Sequence, residues 1–393
     1  MDLRLSGSLL LVGLVALALA ATLRRPRADW WAWAIVVIAA TVAGRVLGGS
    51  PVGAGVSAVG EIAALGLLLA EGTGQARAAA RVWSLALVPG IVAVIAGFVL
   101  IDFGRIHPAA PWDVIAVGLV VLGFALKLAL IPLYFWLAPV ARAASGATLI
   151  LILGVVDTGV VADLAEAAEA APWIFTDHLA LWRAIAALSL IGGAGLALAE
   201  TDLKAIVAFT GPVDAALMLL ALLAPDAETR NAVAVGLVGH ALTLAALYGA
   251  VAVGEDGLGA SLSIETTRGL AGRRPVASGV FMVGAAALLG LPPSLGFSAH
   301  WRFFQAALEV GGPTLVTLVF VAVAVLLLTF VRAIHRIWLG PSEEAAAARP
   351  APVVARAVLV AVAIVVIATG LTPRLFETAP PPHVLALVEG AAR

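Results

Sequence analysis

Apolar runs of roughly 20 residues recur along the sequence, and this is the length that a helix needs to cross a bilayer core of about 30 Å. The runs are continuously apolar, so they predict helices and not the alternating strands of a membrane barrel. The chain is 62% hydrophobic and 12% charged, whereas soluble domains are about 25% charged. We therefore predict an all-α integral membrane protein. About twelve spans are expected, at 7–23, 30–48, 52–70, 82–101, 113–143, 146–164, 179–199, 203–224, 230–253, 276–310, 313–334 and 352–371.

Two of the predicted spans are too long and contain proline. Pro132 interrupts span five in LALIPLYFWLAP, and Pro292 with Pro293 interrupts span ten in LLGLPPSLGF. Proline breaks or kinks a helix, and in lipid such a break is tolerated only where the freed backbone faces protein or water. The interruptions lie five spans apart, and a repeat with an odd number of helices must invert. We predict inverted five-helix repeats, spans two to six and seven to eleven, with two discontinuous helices.

Positive charges are distributed unevenly between the two sets of predicted loops, which orients a membrane protein. One set holds fourteen: Arg24, Arg25, Arg27, Arg77, Arg81, Arg142, Lys204, Arg268, Arg273, Arg274, Arg332, Arg336, Arg349 and Arg356. The other holds seven: Arg4, Arg45, Arg105, Arg183, Arg230, Arg374 and Arg393. The basic set is predicted to be cytoplasmic and both termini to lie outside. Because the first basic cluster follows the first apolar run and no small-residue cleavage site comes after it, that run is expected to be a retained span.

Seven ionisable residues inside the predicted spans are candidates for function, because a charge in the membrane costs about 2.5–3.5 kcal/mol. They are Glu61, Lys127, Asp157, Asp214, His240, His300 and Arg302. Glu61 and Lys127 have opposite charges at mid-span and predict a buried ion pair. Such a pair can switch the proton affinity of the lysine, or it can be a static packing contact, and both interpretations are open.

The remaining candidates differ in their surroundings. Asp157 is flanked by glycines and Thr158 within span six and is expected to lie in the membrane. His240 alone is best explained as a hydrogen-bonding residue between helices, whereas His300 lies beside the Pro-Pro interruption and is expected to titrate. Asp214 follows Pro212 and is expected nearer a helix end, where burial costs less.

Several function classes are excluded or left without support. The chain has no cysteine, which excludes disulfides, iron–sulfur ligation and thiol chemistry. No phosphate-binding loop, dinucleotide fingerprint or HExxH motif is present. A net charge of −1 argues against nucleic acid as a partner. We expect no cofactor and no catalytic residue in this chain.

Four segments resemble one family of membrane subunits. GFALKLALIPLYFWLAP (123–139) is similar to a lysine-bearing broken helix with the pattern GFxxKxxxxPxHxWLPD. The other three segments are RAAARVWSLALVPGIVAVIAGFVLI, which precedes it, and ETDLKAIVAFTGPVDAALMLLAL and RRPVASGVFMVGAAALLGLPPSLGFSAHWRFFQAAL, which come after it. All four stand in the family's order, and the likeness covers about residues 55–340. The chain thus resembles the antiporter-like membrane subunits of respiratory complex I, most closely the N-type subunit of NADH-quinone oxidoreductase, and those of Mrp-type cation/proton antiporters.

This resemblance implies a proton or sodium relay at the membrane midplane, driven by redox chemistry in a neighbouring arm. It implies relay roles for Glu61, Lys127, Asp157, His240 and His300, with Asp214, Lys204 and Arg302 as accessory residues. The implied partners are other membrane subunits of a complex I-like or Mrp-like assembly in the bacterial inner membrane, the lipid bilayer and the transported ions. The chain divides into N-terminal helices (1–51), an antiporter-like core (52–343) and a C-terminal helix with tail (344–393).

The sequence also departs from the family pattern. The lysine expected in span six is absent and is replaced by Asp157 or Thr158, depending on a one-residue gap. Twelve spans are expected here against fourteen in the family. Three hypotheses are therefore open: a proton-translocating subunit of a redox-driven complex, a non-conducting scaffold of such a complex, and a cation/proton exchanger.

Overall fold

The computed structural model describes residues 2–23, 26–225, 227–341 and 350–372. Within these ranges the chain is helical and forms no β-strand, with a single bridge between Asp202 and Ser263. Five arginines used to orient the chain lie outside the described residues, as does most of the C-terminal region predicted at 344–393. Those arginines are Arg24, Arg25, Arg349, Arg374 and Arg393.

The helices follow the predicted spans closely. They are α1 (Asp2–Leu23), α2 (Ala28–Leu47), α3 (Pro51–Ala70), α4 (Gly74–Leu100), α5 (Trp112–Lys127), α6 (Leu137–Ala143), α7 (Gly146–Ala170), α8 (Leu179–Ala199), α9 (Leu203–Leu223), α10 (Ala227–Leu258), α11 (Pro275–Leu288), α12 (Leu295–Ala333) and α13 (Val353–Leu371). Ten helices in the described ranges are long and apolar enough to cross a membrane. The prediction of twelve differs because span five is divided between α5 and α6, and because spans ten and eleven share α12.

Span five is interrupted where its proline predicted. α5 ends at Lys127 and α6 begins at Leu137. Trp136 Nε1 donates to the carbonyl of Leu126 at 2.8 Å, and the N–H of Ile131 donates to Ser189 Oγ at 3.1 Å. These bonds satisfy backbone groups that the break leaves without helical partners.

Span ten is interrupted between α11 and α12, and Ser294 Oγ caps α12 by accepting the N–H of Phe297. Further along α12, Gly312 has φ of 65° just before Pro313. A left-handed φ of this kind favours glycine, and the kink marks the boundary that was predicted between spans ten and eleven. The α5–α6 and α11–α12 units cross the bundle in opposite directions, as inverted repeats require.

The loops lie on two faces of the bundle. One face, called the arginine-rich face below, carries the connections at 26–27, 71–73, 144–145, 200–202, 259–274 and 339–341. On it, Arg142 Nη2 lies 2.6 Å from Glu200 Oε2, and Arg332 Nη2 donates to the carbonyl of Leu198 at 2.6 Å. Arg332 therefore joins the basic loops, as the twelve-span topology predicted. The opposite face carries the connections at 48–50, 101–111, 171–178 and 224–225.

Three helices form the enclosed centre of the bundle. The most apolar 18-residue stretch of α10 is 100% buried, and the corresponding stretches of α7 and α9 are each 89% buried. The other helices surround these three and leave apolar side chains on the outside, where lipid or partner subunits would cover them. A helix that is apolar on all sides is suited to such a position. Consequently Asp157, Asp214 and His240, which lie on the central helices, are kept from lipid.

Helices α4 and α5 approach closely at glycines beside Lys127. A Cβ atom on Gly123 would lie 2.8 Å from the nitrogen of Val94 and 2.9 Å from the carbonyl oxygen of Gly90. We expect Gly123→Leu to separate these helices and lower the stability by about 1–3 kcal/mol, the usual cost of overpacking. Heating the detergent-purified protein and measuring the remaining monodisperse fraction by size exclusion tests this. Gly118→Leu on the same helix is the control, since Gly118 has no atom within 4 Å of such a Cβ, and an equal loss in both variants would contradict the prediction.

Candidate functional site

Glu61 and Lys127 form a buried ion pair at the first break. Lys127 Nζ lies 2.7 Å from Glu61 Oε1, and each side chain is 4% exposed. Lys127 is the last residue of α5, where the unpaired carbonyls of the helix end favour a cation. Glu61 lies in the middle of α3, and its Oε2 has no hydrogen-bond partner among the described residues. The predicted pairing is therefore present, and one carboxylate oxygen is left for a proton or water.

A cavity of about 60 Å³ connects this pair with the opposite face. It runs from Ser50 at the start of α3 to Glu61 and Lys127, and Asp163 and Glu166 of α7 line its wall. The volume exceeds the roughly 10–15 Å³ that one water needs. Water from the opposite face can thus reach the ion pair.

Arg45 holds the two acidic residues of that wall. Its guanidinium pairs with Asp163 and lies 2.8 Å from Glu166 Oε1, although its side chain is only 2% exposed. It also donates to Ser57 Oγ at 3.2 Å. This cluster joins α2, α3 and α7 beside the cavity. From the sequence, Arg45 was predicted only to add a positive charge to one set of loops.

Asp157 lies in α7 beside the ion pair of Glu61 and Lys127. The preceding segment, Ile150–Val156, is a π-helix, a form that is frequent at functional sites. Asp157 faces a cavity of about 10 Å³ that it shares with Glu61 and Lys127, and a second of about 10 Å³ that it shares with His240. The hydroxyl of Thr158 instead donates to the carbonyl of Gly154 in its own helix at 2.9 Å. Of the two candidates left open by the sequence, Asp157 is the one that faces the ion pair.

His240 and Asp214 form a second buried pair. His240 Nδ1 lies 2.7 Å from Asp214 Oδ2, so the carboxylate holds the Nδ1 proton and leaves Nε2 able to exchange one. His240 thus makes the interhelical hydrogen bond expected of it. Asp214 was expected to lie near a helix end, where burying its carboxylate would cost less. The expected lower cost of burial is wrong. The segment Thr210–Leu223 does begin just before Asp214, and Pro212 fits its first turn, but α9 continues on both sides and Asp214 is 6% exposed.

His300 lies beside the second break, as predicted. Its Nδ1 lies 2.8 Å from the carbonyl oxygen of Gly296. A carbonyl only accepts, so Nδ1 carries the proton and Nε2 is available. A cavity of about 20 Å³ is lined by His300, His240 and Asp214 together. Arg302 lies two residues further along α12 and is not among the residues that line this cavity.

Three small cavities therefore connect the ionisable residues in sequence. The first joins Glu61 and Lys127 to Asp157, the second joins Asp157 to His240, and the third joins the His240–Asp214 pair to His300. Volumes of about 10–20 Å³ accommodate about one water each. Ionisable side chains that alternate with single waters can pass protons by short transfers. The predicted relay residues are thus brought together, whereas Lys204 and Arg302 lie elsewhere.

Lys204 lies at the arginine-rich face in a pair that sequence analysis missed. Its Nζ is 3.1 Å from Glu255 Oε1 and 3.0 Å from the carbonyl oxygen of Ala144. Asp202 caps α9 by accepting the N–H groups of Lys204 and Ala205. Burial raises the pKa of Asp202 above its ordinary value, and the Lys204 ammonium opposes that increase. The sequence did not indicate Glu255 as the partner of Lys204, because its segment, VGEDGLG, has the composition of a polar loop.

The Lys204–Glu255 pair lies in a much larger cavity, of about 550 Å³, which is called the vestibule below. The vestibule is bounded by the ends of α1, α3, α6 and α10 and by the start of α7. Its polar lining consists of Arg27, Glu71, Ser145, Lys204, Glu255, Asp256 and Ser261. Glu71 accepts hydrogen bonds from the hydroxyls of Ser145 and Thr148 at 2.5 and 2.6 Å. The vestibule is therefore a recess in the arginine-rich face, lined by both charged and apolar side chains and large enough to hold many waters.

The chain is thus a multi-spanning membrane protein in which two discontinuous helices lie beside a buried series of ionisable groups. Residues 82–326 match the family model described as NADH:quinone oxidoreductase/Mrp antiporter, TM. The chain belongs to this family, and the resemblance seen in the sequence is confirmed.

Curated relatives agree with this assignment. NADH-quinone oxidoreductase subunit 14 of Thermus thermophilus is 31% identical over 266 residues, which cover 67% of this chain and 58% of the relative. NADH-quinone oxidoreductase subunit N 2 of Acidobacterium capsulatum is 29% identical over 280 residues, which cover 66% and 55%. The chain spans about half the length of the curated relatives it matches.

Solved structures share the fold. A chain of the Mrp complex from Dietzia sp. DQ12-45-1b superposes with a TM-score of 0.83 at 20% identity, covering 94% of this chain and 81% of that one. A chain of respiratory complex I from Thermus thermophilus superposes with a TM-score of 0.74 at 24% identity, covering 94% and 84%. At these identities the likeness establishes the fold.

Proposed function

We propose that this chain translocates protons as an antiporter-like membrane subunit of a larger, redox-driven assembly. The observation that carries the proposal is the series of three small cavities from Glu61 and Lys127 to His300, in which neighbouring cavities share Asp157 or His240 as a lining residue. Ionisable residues inside a membrane protein are costly and mark ion pathways. A protein that only fills space in a complex has no need for six of them around shared cavities.

Asp157 is the proposed relay residue at which this sequence departs from the family pattern. A carboxylate between the Lys127 ammonium and His240 can take a proton from one and pass it to the other, as the lysine implied by the resemblance would. The relay roles of Glu61, Lys127, Asp157, His240 and His300, with Asp214 holding His240, are part of this proposal. Lys204 is assigned separately below, and Arg302 receives no role.

The remaining features of the proposal concern the setting of the chain. The arginine-rich face is assigned to the cytoplasm of a bacterial inner membrane by the excess of basic loops, which places both termini outside. Neighbouring membrane subunits of a complex I-like or Mrp-like assembly cover part of the apolar outer surface. Redox cofactors belong to those partners, since this chain offers no cysteine for an iron–sulfur cluster.

The non-conducting scaffold is the second candidate, because the chain lacks the span-six lysine. The two candidates differ in what Asp157→Asn should do. The assembly is purified with its partners and reconstituted in liposomes, and a potassium diffusion potential drives proton uptake that an entrapped pH dye reports. We expect the rate to fall at least tenfold, equivalent to about 1.4 kcal/mol in the barrier, because asparagine keeps the shape but cannot carry the proton.

Thr158→Val is the matched control for this experiment. It alters the neighbouring residue, whose hydroxyl bonds only within its own helix, and it should leave the rate unchanged. Equal rates in wild type and Asp157→Asn would contradict the relay. Proton flux no higher than in empty liposomes for the wild type would favour the scaffold, and flux that requires sodium on the other side would favour a cation/proton exchanger.

A further inference from the structure

The vestibule lies close to the relay along one side of α10. His240, Leu244 and Tyr248 follow one another at intervals of four residues and line the cavity that also contains Asp157. Ala252 and Glu255 continue the same side of the helix and line the vestibule. The two cavities are thus separated by the single helical turn between Tyr248 and Ala252, about 6 Å along the axis.

Two residues bridge this short gap. Tyr248 is fully buried and lines the relay cavity, and its hydroxyl lies 3.4 Å from the carbonyl oxygen of Lys204. Lys204 in turn places its ammonium in the vestibule against Glu255. A tyrosine and a lysine in contact are therefore the boundary between the vestibule and the relay.

We infer that the vestibule is the entrance to the relay from the arginine-rich face, with the Lys204–Glu255 pair as its proton acceptor and Tyr248 as the barrier behind it. The inference rests on the proposed proton translocation and extends it to residues that no comparison assigns. Together with the cavity that leads from Glu61 and Lys127 to the opposite face, this entrance completes a route between the two faces. A relay without an entrance on one face could not carry protons across.

The chemistry of the pair suits this role. Vestibule water delivers a proton to the Glu255 carboxylate, which neutralises the partner of the Lys204 ammonium. Lys204 can then release its proton past Tyr248 to the Asp157 carboxylate and becomes a neutral amine. Transfer of the Glu255 proton to that amine restores the original ion pair, so one proton has moved inward. A buried lysine changes its proton affinity readily when its partner changes charge, which makes the sequence of steps feasible.

The accessibility of the vestibule can be tested without transport, because the natural chain has no cysteine. Single cysteines are introduced by Ala252→Cys in the vestibule and Leu244→Cys in the relay cavity, with Arg77→Cys as an exposed marker of the arginine-rich face. Membrane vesicles are treated with a membrane-impermeant maleimide. We expect Ala252→Cys to react in the same vesicle orientation as Arg77→Cys, while Leu244→Cys is protected.

Adding Tyr248→Ala should expose Leu244→Cys to the same reagent, to a level near that of Ala252→Cys. The inference is overturned if Ala252→Cys does not react from the face marked by Arg77→Cys, or if Tyr248→Ala leaves Leu244→Cys protected. Labelling does not depend on flux. If the cysteines react as expected but the assembly moves no protons, the proposed function is rejected and the assignment of the vestibule is kept.

The acceptor role of the pair is tested by Glu255→Gln in the liposome assay. We expect at least a tenfold lower rate of proton uptake from the arginine-rich face, with labelling of Ala252→Cys unchanged. Glu265→Gln removes the same charge from an exposed position in the loop on that face and should leave the rate as in wild type. Normal uptake in Glu255→Gln, with Asp157→Asn still impaired, would overturn the inference and leave the relay in place.

Discussion

Lys127→Ala is expected to abolish proton translocation while the protein still assembles with its partners. Without the ammonium, no base remains between Glu61 and Asp157, which share a cavity with Lys127. The substitution also leaves the Glu61 carboxylate, 4% exposed, without its partner. Removing one member of a buried pair costs about 3–5 kcal/mol as long as the other stays charged. Proton flux in liposomes and the melting of the purified assembly measure the two effects separately.

A second variant separates the relay role of the pair from a role in packing. Lys127→Ala combined with Glu61→Gln removes both charges, so most of the lost stability should return. Transport should not return, because the double variant has neither the proton acceptor nor its switch. If the double variant is stable and pumps at the wild-type rate, the pair is a static contact between α3 and α5. The alternative left open by the sequence would then be correct.

Features set by local composition could be predicted from the sequence. Apolar length determined the spans, because a helix must match the thickness of the bilayer, and proline determined both breaks. The Glu61–Lys127 pair was predictable because the two residues carry opposite charges and lie near the middle of their spans. In each case the constraint acts within a single helix or follows directly from the low dielectric of the membrane.

Features that depend on contacts between distant helices could not be predicted. Asp214 and His240 lie on different helices, and nothing near either residue indicates the other as its partner. The choice between Asp157 and Thr158 depended on the π-helix at Ile150–Val156, which shifts the register of side chains without a sequence signal. Lys204 and Glu255 are 51 residues apart, one near the start of its helix and the other near the end of another, so no local pattern pairs them.

One clue to the Arg45 cluster was present in the sequence. Asp163 and Glu166 are three residues apart at the end of span six and just beyond it, a spacing that places both on the same side of a helix. Two carboxylates there need a common cation. The distribution of positive charges assigned Arg45 to the set of loops that lies on the opposite face of the bundle. It could not show that the guanidinium is buried.

Arg45→Met is expected to destabilise the protein more than any other single change outside the relay. The guanidinium is buried and contacts two carboxylates, and methionine would leave Asp163 and Glu166 facing each other. These side chains are 17% and 19% exposed, so water compensates in part. We expect a loss near the lower end of about 3–5 kcal/mol. Heating the purified assembly and following the fluorescence of the ten tryptophans measures it.

The matched variant combines Arg45→Met with Asp163→Asn and Glu166→Gln, which removes all three charges and should recover most of the stability. Arg45→Lys should be intermediate, because one ammonium cannot bind two carboxylates in the fixed geometry of a guanidinium. The cluster lines the cavity that leads from the opposite face to Glu61 and Lys127. If the cluster only supports that cavity, the neutral triple variant will pump normally. A stable triple variant with impaired pumping would instead show that Asp163 or Glu166 takes part in proton release.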